Sequence, residues 1–143
     1  MSDDDDEQTN AIGIIAEDAA IYGYGLVLAH ADPSIHAAIE RETAAHRRRR
    51  DHALTLWPGA PAPAVGYELS ADLTGPWQAL ELAVRIEVDC CNAWRAQIVS
   101  AETDEQKHMC VDALSASAVQ LARWRSIIPG TPFEAFPGFS DES

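Results

Sequence analysis

The sequence predicts an all-α fold: four helices packed as a bundle, with one long crossover between the second and third. Three observations carry this. Alanine is abundant and strand-like alternation is absent. Proline and glycine gather at three junctions only. Of the connections between helical segments, two are minimal and one is long.

The first seven residues, MSDDDDE, form a charged leader, and residues 1–8 are expected to be disordered. The first helix is predicted from Thr9, a plausible N-cap, to about Ala31. Its apolar residues fall on two adjoining stripes, Ile14, Ile21 and Leu28, then Ile12, Ile15, Ala19, Tyr22 and Leu26, which together predict a wide buried face. Asp32-Pro33 supplies a cap and an initiating proline, so the second helix doubles back at once and runs to about Trp57. Pro58–Gly75 is the longest non-helical stretch. Pro76 opens the third helix, to about Ala101, and Thr103 with Gln106 makes a capping box for the fourth, which ends at Pro129-Gly130. The bundle therefore occupies residues 9–128. Residues 129–143 form a tail with three Phe, expected to lie along the bundle. The crossover, about 18 residues long, can reach roughly 60 Å when extended, enough to run the length of the bundle and leave helices two and three parallel.

Composition removes several classes. Of 143 residues, 10 are Lys or Arg and 23 are Asp or Glu, a net charge of −13, which argues against nucleic acid. The N-terminus lacks the basic and apolar regions of a signal peptide, and no apolar run approaches the length of a membrane span. Three cysteines, Cys90, Cys91 and Cys110, without metal spacing fit a reducing cytoplasm.

The informative residues are ionisable groups on apolar stripes. Glu17 lies on the line Ile14, Ile21, Tyr24, Leu28. Glu42 and His46 lie on the line Ile35, Ile39, Ala53, Trp57, with Arg49 and Arg50 at its edges. Glu87 falls among Trp77, Leu80, Val84, Cys91, Trp94 and Ile98. Glu17 stands 15 residues before Asp32 and His46 stands 14 after it, so the two are level across the first hairpin. Glu87 is level with Ser117 across the second. Charges at that depth need metal, counter-charges or water. One reading is an ion-pair network in which Tyr24, Arg49, Arg50, Arg95 and Arg125 meet the carboxylates. The other is a metal site of Glu17, Glu42, His46 and Glu87, for iron or manganese. Cys90 and Cys91, neighbours that diverge by about 100° on a helix, read as small buried side chains. Trp94 and Trp124 read as core with cation–π support from the following arginines, and the run Arg47–Arg50 fans around the helix as solvated charge. His36, His52 and His108 read as surface residues.

The segments AEDAAIYGYG, AAHRRRRDHAL, IEVDCCNAWR and the closing WR…FPGF resemble a small actinobacterial family of ferritin-like domains, of the DUF4439 type, without an established function. The resemblance implies a ferritin-like bundle. For active di-iron relatives of that fold it implies carboxylate-bridged iron, with oxidase, oxygenase or storage chemistry, and Glu17, His46 and Glu87 are the positions that match as ligands. The chain departs from the di-iron pattern, which places a Glu-x-x-His pair on each of two helices. Thr43 stands three residues before His46, Glu42 stands four before it, and the inward line of the fourth helix reads Leu114, Ser117 or Ala118, Leu121. The expected function is therefore a non-redox binding or assembly module with a degenerate metal site and no cofactor. The alternative is a metal-dependent oxidoreductase or iron-binding protein with a reduced site. Four Trp and a Phe-rich tail suggest a homodimer; no protein partner can be named.

Overall fold

The computed structural model describes residues 11–62 and 73–128. Within them the chain forms α1 (Ile12–His30), a 3-10 turn (Pro33–Ile35), α2 (His36–Leu56), α3 (Pro76–Ile98) and α4 (Asp104–Ile127), and no strand. The expected helices are present, with shifted ends. Helix α2 starts three residues later than Asp32-Pro33 suggests, because the Asp32 carboxylate accepts the Ser34 N–H and closes a 3-10 turn first. Helix α3 stops at Ile98, short of Ala101. The capping box at Thr103 and Gln106 forms as read. The leader, most of the crossover and the tail lie outside the described residues, as does Thr9.

Helix directions follow from the order of contacts. Going up α1, Gly13, Glu17 and Tyr24 bond in turn to Gln97, Trp94 and Glu87 of α3, so these two helices are antiparallel. Helix α2 also runs against α1, with His36 beside Ala31 at one end and His46 beside Glu17 at mid-height. Helices α2 and α3 are therefore parallel, and residues 57–75 connect opposite ends of the bundle. Helix α3 packs on both α1 and α4, whereas α2 packs on α1 and only lightly on α4.

The N-terminus of α1 shows why these helices sit so close. No side chain caps it at Ala11, and the Gly13 N–H is instead accepted by Gln97 Oε1 at 2.6 Å. A Cβ at Gly13 would lie 2.5 Å from the Trp94 ring and 2.7 Å from that same oxygen. Gly13→Ala is therefore expected to lose about 1–3 kcal/mol by overpacking, despite the roughly 1 kcal/mol that alanine gains in helix propensity. A urea midpoint equal to or above wild type would contradict this contact.

The stripe on α1 formed by Ile12, Ile15 and Tyr22 is exposed, not buried as expected (39%, 36% and 44%). Helix α1 is apolar nearly all round, so periodicity along it does not select the inward face. By length and composition alone it could cross a membrane, contrary to the expectation that no apolar run reaches such a length. Its two acids, Glu17 and Asp18, are buried against α2 and α3. Trp77 is also exposed, with its indole N–H donated to Glu81 one turn on.

Candidate functional site

Three helices bring Glu17, His46 and Glu87 together at mid-bundle, each with no exposed surface. The contact between Glu17 and His46 joins two residues that the count from the first turn sets at one level. His46 is the centre. Its Nδ1 bonds to Glu17 Oε2, while its Nε2 lies 2.8 Å from Glu87 Oε1 and 3.3 Å from Glu42 Oε1, one turn back on α2.

Each carboxylate has further donors. Glu17 Oε1 accepts the Trp94 indole N–H at 2.7 Å and Arg49 Nη1 at 3.2 Å. Arg49 Nη1 is equally near His46 Nδ1, but with that nitrogen protonated toward Glu17 only the carboxylate accepts. Tyr24 donates its hydroxyl to Glu87 Oε1 and accepts the Trp124 indole N–H at 2.9 Å. The Tyr24 ring stands 5.4 Å from the imidazole and 6.4 Å from Trp124. The network thus spans all four helices, through Trp124 on α4.

The electrostatics follow from this placement. Burial alone would strip His46 of its proton, but the hydrogen bonds it donates to Glu17, Glu42 and Glu87 raise its pKa from 6.5 to about 11. At neutral pH it is an imidazolium. Burial likewise penalises the Glu17 carboxylate, yet the His46 bond and charge, Arg49 and Trp94 hold it below its usual range. Burial and then the Glu87 charge push the Tyr24 hydroxyl well above 10, so it stays a donor. Burial also raises the Cys90 thiol well above its usual value, and the charges of Glu17 and Glu87 add to this.

Of the arginines expected in the network, Arg49 takes part. Arg50 does not, because the single step to the next helical position points it at Asp18 and Asp51, 3.2 and 3.1 Å away. Arg95 bonds Asn92 on the exposed face of α3. Arg125 lies on α4, and its charge is felt at the Cys91 thiol. Arg47 and Arg48 are exposed, as are His52 and His108, while His36 is half-buried over Ala31.

Sequence reading missed three contributors. Trp94 and Trp124, which helical spacing assigns to the core, both aim their N–H into the network. Cys90 was read as filler, yet it stands three residues after Glu87, on the same helix face. Its sulfur lies within 4.8 Å of both a Glu17 oxygen and a His46 nitrogen. The i, i+3 spacing from Glu87 was the available signal. Three buried side-chain atoms, Glu87 Oε2, Gln97 Nε2 and Ser117 Oγ, have no hydrogen-bond partner among the described residues.

A helical bundle that buries a carboxylate–histidine cluster at its centre defines the class. The chain belongs to the family described as "Domain of unknown function (DUF4439)", whose model matches residues 10–141. It is similar in structure to a conserved hypothetical protein, rv2844, from Mycobacterium tuberculosis. The TM-score is 0.80 at 32% identity, over 90% of this chain and 100% of that one. No curated protein matches the chain.

Proposed function

We propose that this protein is a ferritin-like bundle working as a non-redox binding or assembly module, its central cluster a degenerate metal site whose cationic role His46 and Arg49 have taken over. The helix directions support the ferritin-like reading: two antiparallel hairpins joined so that α2 and α3 run parallel is the one-crossover bundle order. One observation carries the functional reading. Both nitrogens of the central imidazole face carboxylates, Glu17 on one side and Glu87 with Glu42 on the other. A di-iron centre needs a Glu-x-x-His pair from each of two helices. Here α4 offers the buried Ser117 at the matching level, so the residues present do not fit two irons. Three free, buried cysteines support a reducing, cytoplasmic setting. The exposed Ile12 and Ile15 of α1 support assembly as a homodimer; light scattering that returns the mass of one 15.5 kDa chain would reject that part.

A second reading, an iron- or manganese-dependent protein with a reduced site, draws on Glu42, His46 and Glu87. Their ligand atoms lie within 4.8 Å of one another, and the second oxygen of Glu87 is buried without a partner among the described residues. Thermal melts of metal-free protein with and without iron or manganese separate the two. Under the first reading the midpoint is unchanged. A bound ion at a hundredfold excess over its Kd would instead add about 2.7 kcal/mol, and that gain, lost in His46→Ala, would establish the second.

A further inference from the structure

We propose that Glu17, His46 and Cys90 form a binding site for one thiolate-preferring, redox-inert divalent cation, of which Zn2+ is the natural example. The inference rests on the non-redox reading above and adds a ligand to the same cluster. Three side chains from three helices, all buried, offer an oxygen, a nitrogen and a sulfur within 4.8 Å of one another. Carboxylate, imidazole and thiolate together make a mixed donor set of the kind that zinc accepts. A purely carboxylate site would favour harder ions.

The surroundings are already arranged as outer supports. The His46 nitrogen that faces Glu17 is Nδ1, and this is the atom assigned to the metal. Its other nitrogen keeps its proton on Glu87 Oε1 at 2.8 Å, the carboxylate–histidine pairing that orients a metal-bound imidazole. Trp94 holds the remaining Glu17 oxygen at 2.7 Å, and that oxygen stays with Arg49 when the other turns to the ion. The Cys90 thiol now rests 3.7 Å from the Ala16 carbonyl and gives up only this weak contact.

The exchange conserves charge. The ion enters with two positive charges, and two protons leave to solvent, one from His46 Nδ1 and one from the Cys90 thiol. Sulfur and nitrogen each form a bond to the metal and nothing is oxidised. The buried net charge, counted over Glu17, Glu42, Glu87, Arg49, His46 and Cys90, is the same before and after. Tyr24, the other titratable group against the cluster, stays a neutral donor to Glu87. No new uncompensated charge is placed in the core.

The test is titration of the metal-free full-length protein with Co2+ under reducing conditions. One equivalent is expected to produce a near-ultraviolet sulfur-to-cobalt charge-transfer band. Two protons should be released per ion, and Zn2+ should bleach the spectrum. Cys90→Ser is expected to lose the charge-transfer band, while Cys91→Ser and Cys110→Ser keep it. Should Cys90→Ser fail to fold, X-ray absorption of zinc-loaded wild type gives the same answer through one sulfur neighbour at about 2.3 Å. No charge-transfer band in wild type, an undiminished band in folded Cys90→Ser, or a zinc shell without sulfur would overturn the proposal. None of these results bears on the iron and manganese melts, so the two readings fail separately.

Discussion

Glu17→Ala is expected to destabilise the protein by about 3–5 kcal/mol, the range seen when one partner of a buried ion pair is removed. The loss has three parts, because Glu17 is the acceptor for His46, Arg49 and Trp94 at once. Without it one imidazolium N–H and an indole N–H lose their acceptor in the buried core. Glu17→Gln should lose less, since the amide oxygen still accepts from Trp94 while the charge is gone. Urea denaturation measures both, through a lower midpoint at unchanged slope. The effects of Glu17→Ala and His46→Ala should be far from additive, because each removes the other's partner. A cost near that of a surface substitution, within about 0.5 kcal/mol, would mean that the cluster is not a network.

The second large effect is on pH. The His46 value is raised in the folded protein from 6.5 to about 11, so the stability it contributes is complete below about 6.5 and is lost as pH rises toward 11. Between pH 7 and 9 the unfolded chain has released this proton while the folded chain retains it. Stability should therefore fall by up to about 1.4 kcal/mol per pH unit. Glu17, held below its usual range, acts in the opposite direction and far from this window: its contribution is present above about 4.5 and lost as pH falls. Cys90 and Tyr24 add to the alkaline loss only above their unfolded values of 9 and 10. Thermal melts across pH 7 to 9 should show a steady decline in wild type, much flattened in His46→Gln. Equal slopes in the two proteins would contradict the assignment.

Much of this arrangement is legible in the sequence. Proline, glycine and the Thr103–Gln106 box mark helix ends by local chemistry, and counting from the turns puts Glu17 level with His46. Such counts work because a hairpin with a minimal turn fixes the register of its two helices. What stayed hidden depends on contacts between helices distant in sequence. Gly13 reveals its role only when Trp94 and Gln97 arrive from 81 and 84 residues away. The direction of an indole N–H, toward Glu17 for Trp94 and toward Tyr24 for Trp124, is a rotamer choice that no periodicity records. Arg49 and Arg50 differ by one step of the helix, and that step sends one to the core and the other to Asp18. Helix α1 misled for a different reason. With apolar residues on nearly every side, its pattern does not distinguish the face that packs from the face formed by Ile12 and Ile15.

The central claim is that protonated His46, with Arg49, supplies the positive charge that holds the buried carboxylates of Glu17 and Glu87 and the partly buried one of Glu42. Nitrogen-15 NMR of the imidazole reads this directly, since the two ring nitrogens of an imidazolium resonate together and those of a neutral ring lie far apart. In metal-free protein at pH 8, well above the unperturbed value of 6.5 and well below 11, both His46 nitrogens should carry the signature of a protonated ring. A neutral tautomer at pH 8, with one bare nitrogen, would contradict the account.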